Sequence, residues 1–468
     1  MIIRLAIVRL AGILPVVALL GLSSANAIAA DPESAQPTEP PSDPARTIVH
    51  HETNHLAYAL PFANLDMAQM RAFVLGNRTF NLRWATAPAS ATDVDGLGPT
   101  FVQHSCSACH LRDGRSRLPE TSGEAITRAA IKLTPRHPED RDTLLRLFGE
   151  DLQVQAILGV PPEATARVHW QPAARVTIGS RSVDLHRPDI VISDSLDADL
   201  SSRLWHDALV APAVFGLGLI ENIDVETLLE YQDPDDRDGD GISGRGQWLP
   251  GTSAPRLGRF GWKAGTASLR EQILAAAFAD MGLTSAEHPG ENCPPAQAAC
   301  LAAPRGDTVD LTERAVQALE TYLRLLAVPA QRNTSPQFAR GRAVFHALGC
   351  QRCHREQMRT GAGSPIAVLN HQTIQPYSDF LLHDLGDQLA DHRQIGSATS
   401  NEWRTPPLWG LGLQTTVNGH MRLLHDGRAD GVEQAILWHG GEAADSRERY
   451  RAASDQQRED LLAFLVGL

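Results

Sequence analysis

Cys106-Ser107-Ala108-Cys109-His110 and Cys350-Gln351-Arg352-Cys353-His354 are two copies of C-x-x-C-H, the pattern through which a haem is attached covalently. The two thiols add across the haem vinyl groups, and the histidine that follows is placed to bind the iron from one face. Paired C-x-x-C sequences also build structural zinc sites, but those sit closer together than the 244 residues between Cys106 and Cys350. A disulfide within each pair is a further reading. Neither explains a histidine directly after both second cysteines. Cys106, Cys109, Cys350 and Cys353 are therefore expected to carry two haem c groups, with His110 and His354 as proximal iron ligands. Two irons in one chain make electron transfer between them the first function to consider.

Haem c maturation belongs to an exported chain, and the N-terminus agrees. Arg4 and Arg9 precede an apolar run over Leu10–Leu22 and small residues up to Ala30. This predicts a cleavable signal peptide over residues 1–30, cut at Ala25-Asn26-Ala27 or at Ala29-Ala30. The apolar core is short for a bilayer span, an uncleaved anchor being the alternative. No later stretch is long and apolar enough to cross a membrane, and a periplasmic location follows. Residues 31–47, rich in Pro, Ser, Glu and Asp, read as a disordered leader. Cys293 and Cys300 are left over, and an oxidising compartment predicts a local disulfide between them. The formal charge is −13, or −15 without Arg4 and Arg9. That acidity argues against nucleic acid and for solubility or for docking a basic electron carrier.

The two halves of the chain echo each other. Gly76-Asn77-Arg78-Thr79-Phe80 precedes the first motif and Gly341-Arg342-Ala343-Val344-Phe345 the second. Ala211-Pro212-Ala213-Val214-Phe215-Gly216-Leu217-Gly218-Leu219 matches Thr405-Pro406-Pro407-Leu408-Trp409-Gly410-Leu411-Gly412-Leu413. The segment from Arg259-Phe260-Gly261-Trp262-Lys263 to Ala277 matches the stretch 424–441. Matches in one order predict duplicated haem domains: residues 48–330 with long insertions, then residues 331–468. The expected fold is mainly α, two cytochrome c-like domains, with a small β insertion over Arg175–Ser193. One helix should run from Asp310 with Val316, Leu319, Leu323 and Leu326 on its buried face, and another over Asp460–Leu468. In the third match His439 falls opposite Ala276. If that position faces iron, the second haem has two histidine ligands and the first is open.

At this point the chain resembles the di-haem c-type oxidoreductases labelled thiol oxidoreductase or peroxidase. The resemblance rests on Asp95-Gly96-Leu97-Gly98-Pro99, Cys106–His110 with Asp113-Gly114-Arg115, and Asp238-Gly239-Asp240-Gly241-Ile242-Ser243-Gly244-Arg245. It continues through Leu381-Leu382-His383-Asp384, Glu402-Trp403-Arg404-Thr405-Pro406-Pro407, His425-Asp426-Gly427-Arg428-Ala429 and Ala435–Ala443. More distantly the family is similar to bacterial di-haem cytochrome c peroxidases and to di-haem enzymes that modify tryptophan in partner proteins. The resemblance implies that His439 is the sixth ligand of the second haem, where those relatives carry Met or Tyr. His425, His383 and His420 compete for that role. It also implies a carboxylate and an amide near the first haem. Glu271 and Gln272 are the nearest equivalents, although Arg270 stands in register with the relatives' glutamate.

Lys263 stands out because 40 of the 42 basic residues are arginine. A propionate partner, a pocket donor and an iron ligand are its three readings; its neighbour Trp262 is either packing or an electron relay. Asp236, Asp238, Asp240 and the carbonyl of Ile242 have the spacing of a calcium loop, although Gln247 replaces the usual closing glutamate. The leading expectation is a periplasmic peroxidase reducing hydrogen peroxide with electrons from a small cytochrome c or cupredoxin. A peroxide-dependent oxidase of another substrate and a purely electron-transferring cytochrome are the alternatives.

Overall fold

The computed structural model describes residues 48–91, 94–306, 309–332 and 334–468, so the signal and leader expected over residues 1–47 lie outside it. The helices that frame the site are α1 (Met67–Phe80), α2 (Leu269–Met281), α3 (Glu313–Leu325), α4 (Pro336–Ala347), α5 (Val432–Trp438), α6 (Ala444–Ala452) and α7 (Asp455–Gly467). Asp66 caps α1 by accepting from the amides of Ala68 and Gln69, and Gln69 closes the box in return. α3 is capped by Thr312 rather than Asp310, and it buries Val316, Leu319 and Leu323 as their spacing predicts. α7 begins earlier than the sequence suggests, because Ser454 and Gln457 form a capping box there.

Each C-x-x-C-H follows a helix that is crossed at a glycine. A side chain at Gly76 of α1 would strike the Ala318 carbonyl and Tyr322 of α3. One at Gly341 of α4 would strike the Asp460 carbonyl and Phe464 of α7. Backbones can approach this closely only where Cβ is missing.

The expected mainly α pair of cytochrome c-like domains is corrected here. Helix makes up 33% and strand 20% of the structure, the strands lying in many small sheets. Strand β1 (Ala129–Pro135) pairs antiparallel with β4 (Leu204–Val210), Ala129 opposite Val210 and Pro135 opposite Leu204. Between them β2 (Thr165–Ile178) and β3 (Arg181–Ser193) form a long hairpin turning at Gly179. It starts ten residues before the expected Arg175. Pro172 and a register break at Pro172/Ala174 interrupt its alternation, which hid the first strand from a period-two reading. Two further short strands, β5 (Leu382–Asp384) and β6 (Glu402–Arg404), pair with His383 opposite Trp403.

Three apolar clusters hold these parts. One gathers around α1, α2 and α3 with Phe73, Ile273 and Tyr322, and one around α4, α5 and α7 with Phe345, Leu437 and Phe464. The third lies under β1, β4 and the hairpin root with Ile131, Val168 and Val210. The far end of the hairpin leaves its own cluster, and Ile178 and Leu185 are buried in the second one. Cys293 and Cys300 form the expected disulfide. Among the described residues no helix is long and apolar enough to cross a membrane.

Candidate functional site

Both C-x-x-C-H motifs open on one large cavity of about 680 Å³. Its walls come from α2, β1, β4, α5 and the segments 260–262 and 403–409. Cys106, Cys109, Cys350 and Cys353 face it as free thiols, not joined within their pairs. Burial pushes the thiols of Cys106 and Cys350 up to about 12.

The imidazoles are set by backbone carbonyls. His110 donates from Nδ1 to the Pro212 carbonyl at 2.7 Å, and His354 donates from Nδ1 to the Tyr377 carbonyl at 2.9 Å. Burial lowers both to about 4, so each ring is neutral with Nε2 left for a metal. His439 repeats the arrangement, donating to the Ala435 carbonyl of α5 at 2.7 Å, and burial lowers it too. His354 and His439 line the same cavity.

The corresponding surface of α2 is different. Gln272, Ala276 and Asp280 recur every fourth residue and line the cavity. The next row, Ile273, Ala277 and Met281, joins the apolar core and also borders the cavity. The Asp280 carboxylate has no hydrogen-bond or ion-pair partner among the described residues, and desolvation raises it to about 6. Lys132, ion-paired with Asp151, offsets part of that rise. Both line the same cavity.

Glu271, one residue from Gln272, is outside the cavity: it pairs with Arg256 and accepts from the Ala267 amide. Gln272 faces in, its Oε1 accepting from Thr266 Oγ1 at 3.0 Å. Trp262 also faces in, donating from Nε1 to the Val210 carbonyl at 3.0 Å. Lys263 does not line the cavity. Its Nζ donates to the carbonyls of Thr399, Ser400 and Glu402, pairs with Asp391 at 3.1 Å and lies over the Trp403 ring. Every donor is used locally, which makes it a fastener of the 399–402 loop.

The arginines of the cavity are the residues the motifs alone did not reveal. Arg115 donates to the Leu424 carbonyl and lies over Trp262, while its Nε is buried without a partner. Arg404 donates to the Gly261 carbonyl. Burial lowers both guanidinium groups to about 10, and among the described residues neither is paired with a carboxylate. Two such cations fit the propionates of haem, just as the free thiols and the Nε2 atoms fit its vinyl edge and iron.

Of the competing histidines, His425 stacks on Trp403 at 3.7 Å, and burial lowers it to about 4. His420 accepts at Nδ1 from the Arg422 amide. His383 is held between two carboxylates, Nε2 to Asp379 at 2.8 Å and Nδ1 to Glu442 at 2.7 Å. In the acidic loop the converging carboxylates are Asp233, Asp236 and Asp238. Asp240 turns instead to Arg352 of the second haem motif, at 3.4 Å. The Ile242 amide donates to the Asp240 carboxylate. Gln247 bonds away from the loop, to Ile395 and Ser397.

A family model described as "Di-haem oxidoreductase, putative peroxidase" matches residues 40–136 and 188–468. No curated protein matches the sequence. Among solved structures, a hydrazine synthase of Kuenenia stuttgartiensis pressurised with 20 bar xenon aligns over 84% of this chain and 92% of that one. The identity is 13% and the TM-score 0.32.

Proposed function

Because the chain belongs to the di-haem oxidoreductase family, we propose that it is an exported peroxidase reducing hydrogen peroxide with electrons from a small redox protein. The contrast between α2 and α5 carries this reading. α5 ends in His439, an imidazole suited to hold iron opposite His354. α2 presents Gln272, Ala276 and Asp280 at the first motif, none of them a strong iron ligand. Room for a small substrate is thus kept at one end and denied at the other.

In this reading Cys106, Cys109 and His110 hold the first haem, and Cys350, Cys353, His354 and His439 the second, with Arg115 and Arg404 facing their propionates. Bound there, haem supplies redox-active iron that delivers electrons to the O–O bond. Reduction of one peroxide to two waters takes two electrons and two protons. The Asp280 carboxylate accepts a proton from one peroxide oxygen and returns it to the departing one. Gln272 orients the substrate through its amide, and the Lys132 ammonium favours the ionised form of Asp280. Trp262, beside Arg115 on the cavity wall, stands where electrons would pass.

The signal-like N-terminus supports a periplasmic location, and the acidic charge supports a basic cytochrome c or cupredoxin as donor. Asp233, Asp236 and Asp238 are proposed to hold a structural calcium.

Low-temperature EPR of the oxidised protein tests the central claim. One high-spin and one low-spin ferric signal are expected, the high-spin one lost on adding peroxide. Two low-spin signals indifferent to peroxide, also after half-reduction, would sink it and leave electron transfer as the function.

A further inference from the structure

We propose that the buried Asp379–His383–Glu442 bridge is a positioning device that fixes His354 and His439 relative to each other at the second haem. It rests on the reading of His439 as an iron ligand. His383 sits on β5 with its ring almost fully enclosed: a side chain at Gly244 would come within 2.5 Å of Cε1. Its Nε2 meets the Asp379 carboxylate and its Nδ1 the Glu442 carboxylate, on two different segments, with the Cys353 Sγ 3.6 Å from Nδ1.

On the Nε2 side, Asp379 belongs to the loop that orients His354. It lies two residues after Tyr377, whose carbonyl holds His354 Nδ1, and its own amide donates to the Cys353 carbonyl at 2.9 Å. Asp379 Oδ1 accepts from the Leu381 amide. Tyr377 and Phe380 both have positive φ, 52° and 59°, a conformation that needs outside support in a bulky residue.

On the Nδ1 side, Glu442 lies three residues after His439, in the turn leaving α5. Its other oxygen accepts from Ser243 Oγ at 2.8 Å and from the Asp384 amide at 3.2 Å. The turn is pressed against the end of β5. Side chains at Gly440 or Gly441 would strike the Leu385 or Asp384 carbonyl. One imidazole therefore ties the segment that orients one axial histidine to the segment that carries the other. A buried imidazole between two carboxylates satisfies all its partners only in one arrangement.

The test compares Glu442→Gln and His383→Gln with His439→Ala in the haem-loaded full chain, by EPR of the oxidised form and carbon monoxide uptake of the reduced form. His439→Ala is expected to turn the low-spin signal of the second haem high-spin and add one rapid carbon monoxide site. The bridge variants are expected to shift and broaden the low-spin signal. They should also speed carbon monoxide entry at that haem about tenfold, as when one member of a shared network is lost. Ser243→Ala, which leaves the imidazole contacts intact, is expected to keep the wild-type spectrum. Should His383→Gln not fold, Glu442→Gln carries the test alone, since it keeps the side chain's shape. Wild-type spectra and uptake in the bridge variants, with His439→Ala altered, would overturn the proposal and spare the ligand assignment. An unchanged low-spin signal in His439→Ala would remove the ligand assignment and the bridge with it.

Discussion

Asp280 is the titratable group on the cavity side of α2 on which the proposed peroxide chemistry rests. Its folded-state pKa stands at about 6, above the ordinary carboxylate range, because burial disfavours the charge and Asp151 adds to that. The folded state thus binds this proton more tightly than the unfolded chain. Its stabilising effect is complete below the unfolded pKa and is lost as pH rises through about 6. Asp280→Asn is therefore expected to raise stability by about 3 kcal/mol at pH 7 and to leave it nearly unchanged near pH 3. Thermal melts at the two pH values check this. The same substitution should cut peroxide turnover by about 10² or more, while wild-type turnover falls as pH drops below about 6 and the carboxylate is protonated. The sequence named Glu271 and Gln272 together, of which Gln272 lines the cavity and Glu271 does not, because a motif register cannot tell which side of a helix faces a cavity. Glu271 lies one residue, about 100° of helix, from Gln272 and pairs with Arg256. The usable signal was the alanine run Ala275–Ala277 with Ala279, a helix face stripped to methyl groups that leaves one acid four residues from Ala276.

At the level of elements, the glycine crossings and the hairpin make opposite demands on substitution. Gly341→Ala puts a methyl group into the Asp460 carbonyl and Phe464, and overpacking of this kind costs about 1–3 kcal/mol. Denaturant titration should show it as a lower midpoint with an unchanged slope. The hairpin tip is held by two contacts of different worth. Arg181 reaches Glu433 on α5 with both terminal nitrogens, at 2.6 and 2.5 Å, but half of its side chain is exposed. Arg181→Ala should cost less than about 1 kcal/mol. Ile178, fully buried among the residues of α5 and α7, should cost about 2–4 kcal/mol when cut to alanine. Equal costs in the same titration would contradict that ranking. The C-x-x-C-H motifs and His439 all line the cavity, and the sequence singled them out because covalent and ligand chemistry leaves short, spaced patterns. The hairpin was half legible, since its exposed middle, Gln171–Arg175, carries no apolar alternation.

Over the whole molecule, the insertion decides why a mainly α expectation failed. The family model leaves residues 137–187 unmatched, and they hold β2 and the first half of β3. That segment is rooted in the cluster under β1 and β4, which wall the first pocket, and ends in the cluster around α5, which bears His439. An all-helical duplication has no place for such a strut, and periodicity within each half could not announce a contact between them. Electrostatics act at the same scale. In the proposed exported form, without residues 1–30, the net charge is −15; such a charge would attract the proposed basic donor before contact, and salt shortens the reach of that field to about 8 Å at physiological ionic strength. With a lysine-rich cytochrome c as donor, turnover per unit donor concentration should fall steeply, by about tenfold, between low and physiological salt. Turnover at saturating donor should stay nearly constant, because salt then acts on encounter and not on chemistry. Stopped-flow oxidation of the reduced donor at several salt concentrations separates the two. A rate indifferent to salt, or one rising with it, would mean that the donor docks on an uncharged face and that the acidity serves solubility alone.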